Sequence, residues 1–270
     1  MVNYKNVMNI VLKDLLETKS DKGMIAPLLI VPFIFSVFLP LLVILGGSNH
    51  VMVNFIGGVK IFTEQLPFNF IPLDLSEGEV MVYAILMYFF VPLFLLIPVM
   101  ISTIISTSSF TGEKERKTIE GLLYTPITNK ELMLGKILAS AIPSIIITWV
   151  SLIVYGMIID IYAINVLGEL IFPNLNWLII SLLLSPLVTF LSISLVVSIS
   201  HRVKTSKSAQ FISMLLILPI IGLIVSQASG TILFGSVVSL ILSIILVVLD
   251  IILYFIIAKT FNRDKFITKI

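Results

Sequence analysis

Asp250 is the ionisable residue set deepest in an apolar run of this 270-residue sequence. Eight residues separate it from Lys259, which is about 12 Å at the rise of a helix. An ionisable group at such depth is a functional candidate by default. Three chemistries fit it: a polar point on a passage, a cation ligand, or a carboxyl held by a polar neighbour. Pairing with a neighbour such as Tyr254, one turn along, is the preferred reading. Asp160 stands near the end of another apolar run, where it is expected to face the membrane interface or an outer vestibule. Gln227, with Ser226, Ser229 and Gly230, closes a third run and reads as a tight turn in preference to a gate.

Little else could carry covalent chemistry. The sequence contains no G-x-x-x-x-G-K-[ST] loop, no H-E-x-x-H pair and no G-x-S-x-G elbow. The two histidines, His50 and His201, are expected on opposite faces of a membrane and cannot share a metal within one copy. Serines 140, 144, 181, 185, 192, 194 and 198 lack a neighbouring base and read as helix-packing residues. There is no cysteine, which excludes disulfides and thiolate metal sites. No catalytic, metal or cofactor-binding residue is therefore assigned to this chain.

The densest polar chemistry is a charged interruption, "SSFTGEKERKTIEGLLYTPITNKELMLGK", at residues 108–136. Seven charges fall between Gly112 and Lys130, with long apolar runs on both sides. Glu113 precedes Lys117 by four residues, the favourable order for a helical ion pair. Ile119, Leu122 and Leu123 form an apolar patch at i, i+3 and i+4 spacing. Pro126 cannot extend that helix, and Thr128 with Glu131 makes a capping box that opens the next one. The pattern predicts a short helix over 112–126, then a turn, then a new helix. It serves either as a solvated connector or as a docking surface taken by helix-in-groove contact.

These residues have to be positioned by apolar elements. Hydrophobic residues are 58% of the chain, charged residues only 12%, and mean hydropathy is +1.15, which excludes an ordinary soluble domain. About 20 apolar residues cross a bilayer core as a helix. Six runs meet that test: 24–46, 80–107, 132–159, 177–200, 209–228 and 232–258. The fold class is an all-α integral membrane protein, because a span in lipid must satisfy its own backbone hydrogen bonds. Residues 24–259 form the six-span domain, and 260–270 a tail.

Placing both termini in the cytoplasm puts sixteen of the 17 lysines and arginines inside and leaves Lys60 alone outside. The loop at 47–79, with Glu64, Asp74, Glu77 and Glu79, then lies outside, and "SEGE" at 76–79 opens the second span with a capping box. Residues 1–23 place Val7, Ile10, Val11, Leu15 and Leu16 near one helical face, with Lys5, Lys13, Asp14 and Glu17 largely elsewhere. They read as an amphipathic helix lying in the interface plane; a plain extension of the first span is the alternative. Pro143, Pro186 and Pro219 are candidate kinks within spans.

The run "GEKERKTIEGLLYTPITNKELMLGKILA" resembles the hallmark of type-2 ABC exporter permeases, the sodium and antibiotic exporter branches among them. Thr118, Ile119, Glu120, Leu122 and Leu123 match the core of that hallmark. Pro126, Ile127 and Thr128 match its turn, and Glu131, Leu132, Leu134, Gly135 and Lys136 its final element. Lys117 departs from it, standing where many relatives have glycine. The resemblance implies a cytoplasmic coupling helix that contacts a separate ATP-binding subunit, with Glu113, Arg116, Thr118, Ile119, Glu120, Leu122, Leu123 and Pro126 as the coupling residues. It further implies a plasma-membrane exporter that pairs with a second permease copy or a related permease. ATP would bind on the partner chain; membrane lipid surrounds the bundle, and no nucleic acid is involved. The alternatives are an intramembrane enzyme, with Asp250 or Asp160 catalytic, and a non-transporting accessory membrane protein.

Overall fold

The computed structural model describes residues 3–47, 76–116, 118, 127–200, 202–203 and 205–260. Every element among them is helical. α1 spans Tyr4–Ser20, and six helices long and apolar enough to cross a membrane follow: α2 (Lys22–Gly46), α3 (Gly78–Glu115), α4 (Asn129–Leu167), α5 (Leu175–Ser200), α6 (Ser206–Ala228) and α7 (Ser236–Ile257). The sequence predicts the same six, but α3 and α4 each overshoot their expected limits by about two turns. Their ends carry charge and so fall outside the apolar run, yet they remain helical. The outer loop at 47–79 lies mostly outside the described residues, as does the tail.

α1 is not a continuation of the first span. Asp21, in an extended conformation (φ −91°, ψ 101°), separates α1 from α2 and caps α2 through Gly23 N–H at 2.9 Å. Both predicted capping boxes are present in outline. Glu79 accepts from Ser76 N and Oγ at the start of α3, and Thr128 exchanges bonds with Glu131 at the start of α4. Gly168, at φ 74°, ends α4 in the left-handed conformation that a side chain would resist.

α3 is the central helix. Of its most apolar stretch 72% is buried, against 11% for α7. α4 and α5 pack against it and against each other, and α7 lies against α5. Three π-turns interrupt the spans shortly before a proline: Ile34–Phe38 before Pro40, Ile85–Phe89 before Pro92, and Ile180–Leu184 before Pro186. A proline removes the donor to the carbonyl four residues back, and its ring crowds that carbonyl; a wider turn relieves the crowding. Pro186 thus marks a real irregularity, whereas Pro143 sits within continuous α4.

Two cores lie along the bundle. Towards the α3 N-terminus Phe90, Phe94, Tyr155, Phe172 and Trp177 cluster, with Phe94 and Tyr155 ring centres 4.6 Å apart and Tyr155 and Trp177 5.0 Å apart. At the opposite end, beside α1, a smaller cluster holds Phe110, Ala141, Ile193, Val197 and Ile257.

Candidate functional site

α1 lies against the first turns of α4 because Gly135 has no side chain. A Cβ there would come within 2.7 Å of the Ile10 Cβ. Val7, Ile10 and Val11 are buried in this contact, and so is Asp14. The seating differs from the face predicted by periodicity. Asp14 was expected on the polar side, whereas Leu16 was expected on the apolar side and is 63% exposed. A charged partner inside the protein, which helical periodicity does not register, draws Asp14 inward.

That partner is Lys136, in the third turn of α4 and only 2% exposed. Its ammonium lies 2.7 Å from the Glu113 carboxylate and 3.7 Å from Asp14, donates to the Ser109 carbonyl, and sits 5.6 Å from the Phe110 ring centre. Ser109 Oγ donates to Asp14 at 2.5 Å. Lys13 pairs with Glu113, and lies 3.3 Å from Asp14 and 3.5 Å from Glu17. Arg116 pairs with Glu17. Three acids and three bases from α1, α3 and α4 thus form one balanced cluster. A fourth π-turn, Ser108–Gly112, precedes Glu113 and brings Ser109 and Glu113 into it.

Burial alone would lower the pKa of Lys13, but the hydrogen bond and charge of Glu113, with Asp14 and Glu17, outweigh it and hold the ammonium above its ordinary value. Asp14, Glu17 and Glu113 offer carboxylate oxygens within 4.8 Å of one another. The lysine ammoniums already supply the positive charge there, so the cluster needs no cation.

The same region is fastened at two more points. Glu131 accepts from Asn3 N–H at 2.6 Å, tying the start of α1 to the start of α4. Glu115 accepts from Ser206 N and Oγ, both at 2.8 Å, capping α6 from the end of α3. A cavity of about 380 Å³ opens beside this link, lined in part by Asp21, Met24, Thr107, Arg116 and Gln210.

Of the predicted coupling residues, Glu113, Arg116 and Thr118 are brought together here; Thr118 N donates to the Glu113 carbonyl at 3.0 Å. Residues 112–116 continue α3 and do not begin a new helix. The expected Glu113–Lys117 pair falls partly outside the described residues, and the Glu113 carboxylate is engaged by Lys13 and Lys136. Ile119, Glu120, Leu122, Leu123 and Pro126 lie outside the described residues.

The intramembrane candidates sit elsewhere. Asp160 is a structural cap: it accepts from Ile171 N at 3.1 Å and Phe172 N at 2.9 Å, folding the chain after α4. Gln227 is fully buried and donates to the Tyr88 carbonyl at 2.8 Å, and the expected tight turn follows it: Gly230, at φ 72°, donates its N–H to the Gln227 carbonyl at 3.0 Å. Among the described residues Asp250 has no hydrogen-bond partner on either oxygen, so the expected pairing with Tyr254 is not made; Tyr254 is 62% exposed. Ser140, Ser144, Ser185 and Ser192 are buried, and each donates to the carbonyl one turn back in its own helix.

Six spans surround a central helix, and an ionic cluster binds three elements at one end. The model of the ABC-2 family transporter proteins matches residues 8–262. The chain belongs to that family. It is a multi-pass membrane permease of an ABC transporter, a transport subunit. No curated protein and no solved structure gives a match. In this ABC-2 permease Glu113 and Arg116 of the ionic cluster stand at the start of the run at 112–139, and Lys136 stands near its end. Sequence reasoning counted Lys136 as a loop cation and missed Asp14 and Lys13 as its companions. The available signal was a lysine inside an apolar helix next to a glycine, a place where a charge needs a partner.

Proposed function

We propose that this permease is the membrane half of an ATP-driven exporter and that it receives force from a separate ATP-binding subunit through residues 112–126. The observation that carries this reading is the family match over residues 8–262, joined to the buried ionic cluster at the base of that segment. A motor can shift a membrane domain only if it contacts the domain's two states differently. A segment fastened to α1, α3 and α4 by buried charge passes a push to three elements at once, whereas a loose loop absorbs it.

In this reading both termini and the 112–126 segment face the cytoplasm, and α1 lies along the inner membrane surface. Its exposed stripe of Tyr4, Met8, Leu12 and Leu16, with Lys5 and Lys19 beside it, suits a seat among lipid headgroups. Two permeases, identical or related, enclose the path above two ATP-binding subunits, which hold the ATP. The work is conformational, and no covalent chemistry falls to this chain.

The test uses Leu122→Asp in the complex purified from its own membranes. The variant inserts normally, and its ATPase turnover no longer responds to the permease. Unchanged ATPase association and unchanged transport in that variant would overturn the docking assignment.

A further inference from the structure

The opposite half of α3 carries a second fastening, of a different kind. Pro92 has no N–H, so the Tyr88 carbonyl four residues back does not receive its α-helical donor, and the π-turn Ile85–Phe89 widens the backbone just before it. Side chains of other spans reach the carbonyls here. Gln227 Nε2 of α6 lies 2.8 Å from the Tyr88 carbonyl, and Trp177 Nε1 of α5 lies 3.1 Å from that of Met87. Tyr155 of α4 donates its hydroxyl to the next carbonyl back, on Leu86, at 2.5 Å. Three consecutive carbonyls thus receive three side chains from three different spans, and all three side chains are almost fully buried.

Below this point α3 is built differently. Leu95 N bonds to the Pro92 carbonyl at 3.2 Å, a tighter three-residue step, and Pro98 removes another donor. Between Pro98 and Ser108 the described side chains donate only to carbonyls of α3 itself: Ser102 to Pro98, and Ser106 to Ser102. The hydroxyls of Thr103 and Thr107 have no partner among the described residues. Cross-span polar bonding resumes only at Ser109 and Glu113.

We infer that Tyr155, Trp177 and Gln227 are positioning residues that hold the first half of α3 fixed against α4, α5 and α6. The stretch from Pro92 to Pro98 is then the swivel about which the Glu113 half of α3 moves. The inference rests on the proposed function only for what drives that movement. The ionic cluster moves with that half, together with α1 and the first turns of α4, which Pro143 separates from Tyr155 on the same helix; the three donors give it a stationary end to pivot from.

The absence of cysteine makes paired spin labels a direct test on the full chain in proteoliposomes, without nucleotide or ATPase. One pair, at Val80 and Ile161, reads the fixed half; the other, at Thr118 and Ile256, reads the swinging half. The first pair is expected to give a single narrow distance distribution, and the second one at least twofold wider. Tyr155→Phe, which removes only a hydroxyl, and Tyr155→Phe with Gln227→Leu widen the first distribution. Pro92→Ala with Pro98→Ala restores both donors and narrows the second while leaving the first unchanged. Equal widths in the unmodified protein, an unmoved first pair in Tyr155→Phe, or an unmoved second pair in the double alanine variant overturns the inference. These distances do not depend on ATPase coupling, so a failed Leu122→Asp experiment leaves them intact, and the reverse also holds.

Discussion

Replacing Lys136 with methionine tests whether the ionic cluster is one balanced unit. Methionine keeps most of the side-chain volume, so the loss is charge and hydrogen bonds. Glu113 and Asp14, whose side chains are 1% and 3% exposed, would then share only Lys13, which is itself 42% exposed. Breaking a buried pair by removing one partner costs about 3–5 kcal/mol, because the other charge stays buried without compensation. At roughly 2–4 °C per kcal/mol for a domain of this size, the melting temperature falls by about 6–20 °C. Replacing both members, Lys136→Met with Glu113→Gln, leaves no uncompensated charge and regains most of the loss. A double-mutant cycle followed by thermal unfolding in detergent therefore gives a coupling of about 2–3 kcal/mol between Lys136 and Glu113. Limited proteolysis after Lys19 reads α1 release in the same samples. Additive losses, or a Lys136→Met variant as stable as its parent, would refute the reasoning that these charges are buried together.

Four further outcomes follow from the geometry. Gly135→Val forces α1 off α4 and costs about 1–3 kcal/mol; Ile10→Ala does not rescue it, because the Ile10 Cβ itself is the atom 2.7 Å away, and α1 proteolysis checks both. Gly156→Ala drives a Cβ to 2.3 Å from the Phe172 ring and changes the near-ultraviolet signal of the aromatic cluster, and here Phe172→Ala does relieve the clash. The raised pKa of Lys13 means its contribution is fully present below pH 10.5 and is lost as pH rises through the folded value, so α1 release shows an alkaline step that Lys13→Met removes. Asp250→Leu removes two buried oxygens that have no donor among the described residues and leaves the melting temperature unchanged or raised, whereas a fall would reveal a partner outside them.

Hydropathy made the six spans legible, because about 20 apolar residues at helical rise have no other use in lipid. The capping boxes at Ser76 and Thr128 were legible too, since they are local in sequence. What the sequence hid is long-range. Lys136 and Asp14 stand 122 positions apart and meet only through the bend at Asp21 and the space left by Gly135. Periodicity assigned Asp14 to solvent, since a helical wheel cannot represent a charge waiting on another helix. Gln227 read as part of a turn, and nothing in the sequence singled out Tyr155 or Trp177. Their role depends on three backbone carbonyls of α3 just before Pro92, and a carbonyl leaves no trace in a sequence.

The most direct measurement is the side of the membrane on which the ionic cluster and its adjoining segment lie, since a motor using ATP must reach them from the cytosol. A lone cysteine placed at Thr118 in this cysteine-free chain, treated with a membrane-impermeant maleimide, reports that side. Intact cells should leave it unlabelled, and permeabilised cells should label it fully. Full labelling of intact cells would place the segment outdoors, beyond the reach of any ATP-binding subunit, and would contradict the exporter mechanism.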